Sequence, residues 1–247
     1  MTDDLDDRLR DAKLAALAEF AAGAGHEINN PVATILGRAQ QLLRHEDDPN
    51  RRRALATIAS QALRIRDMIG DLMLFARPPE AEPVWVDLAS LVQRISEPLH
   101  ELAAERGITL RLDAPRPVQA FADPEQMAVA VVALIENAIN ATPADGTVVI
   151  AVSDRDGRSE ISVEDHGVGF TDTDREHAFD PFYSGRQAGR GLGFGLPKAW
   201  RIATLAGGSI TIDSRDGTTV ARISLPVPKT AGDEPAVPAK PSRRKRS

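Results

Sequence analysis

The 247-residue chain contains no cysteine and no uninterrupted apolar run of about 18 residues. The first absence excludes disulfides and thiolate metal sites, and the second excludes an ordinary transmembrane helix. Residues 1–7 are acidic and lack the apolar segment of a secretory signal peptide. A net charge of −6 gives no indication of nucleic-acid binding across the chain. We therefore expect a cytoplasmic protein without a membrane segment.

The first informative motif is the run GHEINNP at residues 25–31, which has a histidine near its centre. It lies inside a predicted helix from about residue 5 to residue 43 that contains Pro31. If the apolar seam of this helix follows a coiled-coil pattern, His26 lies on the opposite, solvent-facing side. An outward histidine followed by a carboxylate suits chemistry with a molecule that docks from outside, although an ordinary exposed histidine has the same pattern. The seam residues are Leu14, Leu17, Ala21, Ala24, Ile28, Ile35 and Leu42.

A second helix is predicted from about Arg51 to Ala76, after a polar loop at residues 45–50. Its apolar residues also recur at steps of three and four. Two such helices joined by a short loop form an antiparallel hairpin, and two hairpins bury more apolar surface than one. We interpret residues 8–77 as a dimerising hairpin that forms a four-helix bundle. The alternative is a hairpin packed on the rest of its own chain. The seam residues are Leu55, Ile58, Ala62, Ile65, Ile69, Leu72 and Ala76.

A proline-rich linker is predicted at residues 78–85, and the pattern changes after it. Helices are predicted after the capping residues Asp87 and Asp123, and strands occur in hairpins with Asp-Gly turns. Strands that pair in hairpins rather than alternating with helices predict an α+β fold, with a mixed sheet and helices on one face. We assign residues 86–226 to this second domain and residues 227–247 to a disordered basic tail.

Four features of the second domain together indicate a nucleotide site. A nearly all-apolar helix ends in Glu136-Asn137, whose amide oxygen suits a hard cation such as Mg²⁺. Asp165 follows a strand, where its carboxylate can accept a hydrogen bond from an exocyclic amine beside flexible glycines. Aromatic residues flank a turn at residues 179–183. A glycine-rich segment, residues 189–195, precedes a helical stretch at residues 198–205 and suits phosphate binding.

These motifs resemble the transmitter core of bacterial sensor histidine kinases. HEINNP at residues 26–31 is similar to the H box of nitrogen-regulation-type kinases, and Asn137 with Ala138 matches the N box. DHGVG at residues 165–169 matches the G1 box, FDPF at 179–182 the F box, and GRGLGFGL at 189–196 the G2 box. The resemblance covers residues 8–226 and has every box in family order. It implies a phosphoacceptor hairpin followed by an α/β-sandwich ATP-binding domain.

The resemblance implies ATP-dependent phosphorylation of His26, then transfer to an aspartate of a response-regulator receiver domain. Glu27 would accept the imidazole proton, and Asn30, one helical turn further on, would orient water for phosphatase activity. Asn137 would bind Mg²⁺ and Asp165 would bind the adenine amino group. The remaining ATP-binding candidates, which include glycines of the G1 and G2 boxes, are Asn140, Gly167, Gly169, Phe182, Arg186, Arg190, Gly191, Leu192, Gly193 and Gly195.

The chain departs from the family pattern at two positions on the N-box helix. An asparagine usually lies four residues before the metal-binding one, and here that position is Ala133. A basic residue is common where this chain has Asn140. These departures weaken two expected contacts with metal or phosphate. Arg186 and Arg190, in the short segment between the F and G2 boxes, are our candidates to supply the missing positive charge.

Two other functions fit parts of the pattern. A degenerate transmitter would bind nucleotide as a dimeric scaffold without kinase activity, and Ala133 is the residue that favours it. An ATPase of the same nucleotide-site superfamily, such as a type II topoisomerase or a mismatch-repair protein, needs a catalytic carboxylate one turn before the asparagine. Because Ala133 occupies that position, the sequence favours the histidine kinase.

Overall fold

The computed structural model describes residues 2–183 and 193–227. The chain divides into two compact units, Met1–Pro79 and Glu80–Ser247. Four of the predicted ATP-binding residues, Arg186, Arg190, Gly191 and Leu192, lie outside the described residues, as does the predicted tail beyond Val227. The domain boundaries proposed above stay predictions.

The first unit is a helical hairpin of α1 (Thr2–Leu43) and α2 (Pro49–Ala76). Helix α1 continues through Pro31 without a break in its helical assignment. Asp48 caps α2, because its Oδ1 accepts hydrogen bonds of 2.9 Å from the backbone N–H groups of Asn50 and Arg51. Pro49 stands in the first turn, where its missing N–H costs nothing. The predicted hairpin is therefore present.

The residues buried inside the hairpin agree only in part with the predicted seam. On α1 the buried side chains include Val32 and Ala39, whereas the predicted seam residues Ile35 and Leu42 are 49% and 58% exposed. On α2 the seam residues Ala62, Ile69, Leu72 and Ala76 are buried as expected, whereas Leu55, Ile58 and Ile65 are not. Each helix therefore carries a second apolar stripe beside the buried one, which one hairpin leaves uncovered. Periodicity alone could not separate the two stripes, since both repeat at helical spacing.

The second unit contains an α+β fold, as predicted. It begins with β1 (Val84–Asp87), which pairs antiparallel with β3 (Gln119–Ala122). Among the described residues the main sheet has five strands in the order β2-β4-β5-β7-β6. Only the β2–β4 pairing in this sheet is parallel, so the sheet is mixed. The strands are β2 (Thr109–Asp113), β4 (Thr147–Arg155), β5 (Arg158–Asp165), β6 (Ser209–Arg215) and β7 (Thr218–Pro226).

Three helices bury one face of this sheet: α3 (Leu88–Ala104), α4 (Pro124–Ala141) and α6 (Gly195–Leu205). Alternate residues of β4 and β5 are buried, which is the period expected of a sheet covered on one side. Helix α4 is central, because its buried side chains join the core from both α3 and α6. Its almost continuous apolar sequence follows from this position.

Two short elements were missed by the sequence analysis. Val84 and Trp85, which we placed in the linker, belong to strand β1, and the Trp85 ring packs edge-on against Phe121 of β3. Helix α5 (Asp172–His177) follows the G1 segment and begins with a capping box between Thr171 and Asp174. Both elements are short, so neither carries a clear apolar period.

Asp87 joins three elements of the second unit, and this predicts a measurable stability effect. Its carboxylate accepts from Ala89 N and Ser90 N at the start of α3, and from Val118 N beside β3 at 2.9 Å. The hydroxyl of Ser90, above all, lowers the pKa of Asp87. We expect Asp87→Ala to lower the free energy of unfolding by about 2 kcal/mol, from a lost cap and an unsatisfied N–H. Urea denaturation of the chain at pH 7 measures it.

The pH dependence of the same variant provides a second measurement. Because folding lowers the pKa of Asp87, its contribution is complete above an aspartate's ordinary pKa of about 3.9 and is lost as the pH falls through the lowered value. The difference between wild type and Asp87→Ala should therefore shrink below about pH 4. Asp113→Ala, at an exposed aspartate that ends β2, is the control. Equal stabilities for the two variants would contradict this role.

Candidate functional site

His26 lies on α1 in the first unit, with its side chain exposed as predicted. Glu27 and Asn30 are exposed as well. The preceding residue, Gly25, is buried, and a Cβ there would lie 2.9 Å from Met73 Sδ and 3.4 Å from Ile69 Cγ2 of α2. The absence of a side chain at Gly25 thus lets the two helices approach closely next to His26. The histidine is held on a packed segment of helix while its ring stays accessible.

The second unit brings the predicted nucleotide residues together where β5 ends and α4 ends. Asp165, the last residue of β5, is 3% exposed, and its Oδ1 accepts a 2.9 Å hydrogen bond from Gly167 N. A Cβ at Gly167 would lie only 2.4 Å from the carbonyl oxygen of Ala141. Any side chain at residue 167 would therefore force the G1 loop away from the end of α4. Gly169 has φ +72°, a conformation that glycine adopts without strain.

The start of α6 approaches the same helix about two turns earlier. A Cβ at Gly195 would lie 3.9 Å from both the Cβ and the carbonyl oxygen of Ala133. Ala133 is 6% exposed, so the position where the resemblance implies a further asparagine is here filled by a small packed side chain. Asn137 is half-buried one turn further along α4. Gly195 and Gly167 therefore each approach α4, the helix that carries Asn137.

Residues that flank residues 184–192, from the F box before them and the G2 box after them, contact each other. The rings of Phe182 and Phe194 pack edge to face with centroids 4.8 Å apart. Phe182 is 59% exposed and has φ +67°, an uncommon conformation for a bulky residue. Gly193 has φ +70°, and a Cβ there would lie 2.4 Å from the carbonyl oxygen of Tyr183. The two ends of this segment are thus held together by a ring contact and a close backbone approach.

Tyr183 is a residue at this site that the sequence analysis did not assign. Its hydroxyl donates a 2.7 Å hydrogen bond to Asp174 Oδ1, while Thr171 Oγ donates to the other carboxylate oxygen at 2.6 Å. These bonds, that from Thr171 first, lower the pKa of Asp174, and the Asp174 carboxylate raises the pKa of Tyr183. The hydrogen bond between Tyr183 and Asp174 links the residue that precedes residues 184–192 to helix α5. The Thr171-x-x-Asp174 spacing of the capping box is the sequence signal that could have identified Asp174.

Ser214 and Thr219 support the G1 loop from the neighbouring strands, and they too were missed. Ser214 Oγ accepts a 3.0 Å hydrogen bond from Phe170 N and lies 3.1 Å from Thr219 Oγ1. Both side chains are buried, and Thr219 is directly opposite Asp165 in the β5–β7 register. Only the strand pairing brings these residues together, since more than 40 positions separate Asp165 from Ser214 in sequence.

The predicted ATP-binding residue Asn140 is exposed at the last turn of α4. Its side-chain oxygen accepts a hydrogen bond from the guanidinium Nη1 of Arg106. Arg106 follows α3 and lies 34 positions earlier, so no local pattern could have identified it. The structure therefore places a cation next to a position where the resemblance implied that one was missing.

The residues present fit a magnesium ion that is bound mainly by a nucleotide. Among the described residues, no group of three or more His, Cys, Asp or Glu side chains could hold a metal ion by itself. Asn137 offers an amide oxygen, and Ala133 offers none. Mg²⁺ commonly takes one or two protein ligands and completes its coordination with water and substrate phosphates. This donor set suits that arrangement and does not suit a resident protein-only metal site.

Two family models match the chain. The His Kinase A (phospho-acceptor) domain matches residues 16–81, and the histidine kinase-, DNA gyrase B- and HSP90-like ATPase model matches residues 122–229. The sensor-like histidine kinase SenX3 of Mycolicibacterium smegmatis is 31% identical over 246 residues, covering 93% of this chain and 64% of that protein. The chain spans between about half and two thirds of the length of the curated relatives it matches.

Solved structures share the fold. The crystal structure of full-length ShkA in complex with AMPPNP has a TM-score of 0.74 at 25% identity, covering 84% of this chain and 45% of that chain. The complex of histidine kinase ThkA with the response regulator protein TrrA has a TM-score of 0.65 at 22% identity, covering 92% and 66%. In the part of the chain that the structure describes, every helix is too short or too polar to cross a membrane.

Proposed function

Because the chain belongs to the sensor histidine kinases, as a His Kinase A domain followed by a histidine kinase-type ATPase domain, we propose that it phosphorylates His26 with ATP and passes the phosphoryl group to a response-regulator aspartate. The observation that carries the proposal is an exposed histidine on a packed helix in a chain that also holds a nucleotide-type site. The ThkA–TrrA complex, from a protein of the same fold, supports a response regulator as the partner.

Autophosphorylation requires the nucleotide to be held with its γ-phosphate free to reach His26. The buried Asp165 would accept a hydrogen bond from the adenine amino group, beside Gly167, whose missing side chain lets the G1 loop pack on the end of α4. Asn137 of α4 and the start of α6, which passes Ala133 of the same helix, would bind the triphosphate. A bound Mg²⁺ would neutralise charge on the phosphates.

In the transfer step, a ring nitrogen of neutral His26 attacks the γ-phosphorus of ATP. The new N–P bond forms as the bond from the γ-phosphorus to the bridging oxygen breaks, and ADP leaves. Glu27 accepts the proton of the other ring nitrogen, so that no positive charge stays on the phosphorylated ring. Positioning provides most of the rate in phosphoryl transfer, and a packed helix beside Gly25 restricts the motion of His26. The aspartate of the partner then takes the phosphoryl group.

We further propose that a second copy of the chain covers the exposed apolar stripe of the hairpin. Ile35 and Leu42 of α1, with Ile58 and Ile65 of α2, are between 38% and 58% exposed in one protomer. Apolar stripes on both helices of a hairpin are what a four-helix bundle buries. A homodimer would therefore use residues that the hairpin itself leaves uncovered.

The kinase proposal is tested with γ-labelled ATP and Mg²⁺. Wild type should acquire acid-labile, base-stable label, and His26→Gln should acquire none while it still binds ATP. His45→Gln, at an exposed histidine beyond the end of α1, is the matched control and should be labelled like wild type. ATP binding without any label in wild type would instead support the nucleotide-binding scaffold that Ala133 left open.

A phosphatase role is proposed for Asn30, which is exposed one turn after His26 on the same side of α1. Asn30→Ala should retain autophosphorylation but slow dephosphorylation of the response regulator about tenfold or more, the scale of one positioned group. Thr34→Ala, one further turn along, removes a hydroxyl that donates to the Asn30 backbone carbonyl and is the control. Loss of both activities, or of neither, in Asn30→Ala would rule this role out.

The dimer is tested by placing a charge on its proposed interface. Ile58→Asp should convert dimers to monomers in sedimentation velocity, because an unpaired carboxylate at an apolar interface is costly. Ala56→Asp adds the same charge two residues away, on the opposite side of α2, where side chains do not face the same partner. It should leave the dimer intact. Equal sedimentation of the two variants would count against this interface.

A further inference from the structure

The backbone around Arg106 is held firmly against the end of α4. The N–H of Arg106 bonds to Ala103 O at 3.0 Å, and the N–H of Gly107 bonds to Ala104 O at 2.9 Å, which closes the turn after α3. Gly107 has φ +70°, and its carbonyl accepts a 2.8 Å bond from Asp145 N in the loop after α4. The base of the Arg106 side chain is therefore fixed with respect to the loop that follows α4.

The guanidinium of Arg106 keeps its charge available for an anion. Within the described residues its hydrogen bond is to a neutral amide, Asn140 Oδ1, and no carboxylate lies within 4 Å of it. Two other arginines of the second unit are paired with carboxylates: Arg116 with Asp154, and Arg175 with Asp172. A guanidinium that is held by a neutral amide keeps its positive charge for an anionic group such as phosphate.

The pair lies close to the residue that we propose binds the magnesium ion of the nucleotide. Asn140 lies three residues after Asn137, or about 4.5 Å along the axis of α4. This separation is shorter than the screening length of about 8 Å at physiological salt. The charge of Arg106, which is held at Asn140, would therefore act on a triphosphate at Asn137 with little screening by salt.

We propose that Arg106 and Asn140 act as one unit that binds the phosphates of the nucleotide and restores the positive charge that α4 itself lacks. This inference rests on the proposed function, because it takes ATP as the ligand. The competing explanation is structural: a cation near the C-terminus of α4 would stabilise the helix through its dipole. The two explanations differ in which ligands they affect. A phosphate contact matters for ATP and not for adenosine, whereas a folding contact matters for both.

The experiment measures the affinity of the full chain for ATP with Mg²⁺ and for adenosine by titration calorimetry. Arg106→Ala should weaken ATP binding about threefold to tenfold, the range of one partly exposed charge contact, and leave adenosine affinity unchanged. Asn140→Asp should weaken ATP binding at least as much, because the new carboxylate neutralises Arg106. The double variant Arg106→Ala with Asn140→Lys should recover ATP affinity by placing the charge on α4.

Arg116→Ala is the matched control, since it removes an exposed arginine that contacts Asp154 at the opposite end of β4 and β5. It should leave the affinity for both ligands unchanged. Equal losses of ATP and adenosine affinity in Arg106→Ala, with a lowered melting temperature, would overturn the inference in favour of the structural role. Unchanged ATP affinity in Arg106→Ala would overturn it while leaving the kinase proposal intact. A wild-type chain that binds no ATP would overturn both.

Discussion

The close approach of the G1 loop to the end of α4 is the constraint on which the rest of the candidate nucleotide site depends. Gly167 lies so near the Ala141 carbonyl that a single Cβ would separate them. This contact places the buried Asp165 beside the helix that carries Asn137 and Asn140. Because α4 also packs against α3 and α6, a shift at Gly167 would change the site and the core together. The glycine is thus a requirement of packing as much as of ligand access.

Aspartate side chains join elements of the second unit that are distant in sequence. Asp123 caps α4 through the N–H groups of Glu125 and Gln126, and its other oxygen accepts from Glu82 N at 2.8 Å. Asp87 similarly caps α3 and bonds to Val118 N. Each carboxylate satisfies N–H groups at a helix start, which have no partner within the helix. The caps therefore also set where the chain enters the ATPase-type domain.

Much of the fold was predictable because its signals are local. Capping residues identified the starts of α3 and α4, and turn glycines identified the turns of the β4–β5 and β6–β7 hairpins. The apolar seams identified α1 and α2. Prediction was weaker where the signal was short or ambiguous. Strand β1 and helix α5 are too short for periodicity, and Trp85 looked like linker. The sequence analysis placed Ile35 in the apolar seam of α1, whereas within one hairpin Val32 is buried and Ile35 is exposed.

For the candidate site, the sequence by itself determined the motif residues, since histidine, asparagine, aspartate and glycine carry their chemistry wherever they lie. It could not determine which further side chains support them. The Arg106–Asn140 contact spans 34 positions, and Ser214 reaches the G1 loop only because β6 and β7 pair beside β5. Such contacts depend on strand order and helix packing, which involve the whole domain. Tertiary structure alone decided them, because side-chain contacts between distant segments leave no periodic pattern in either segment.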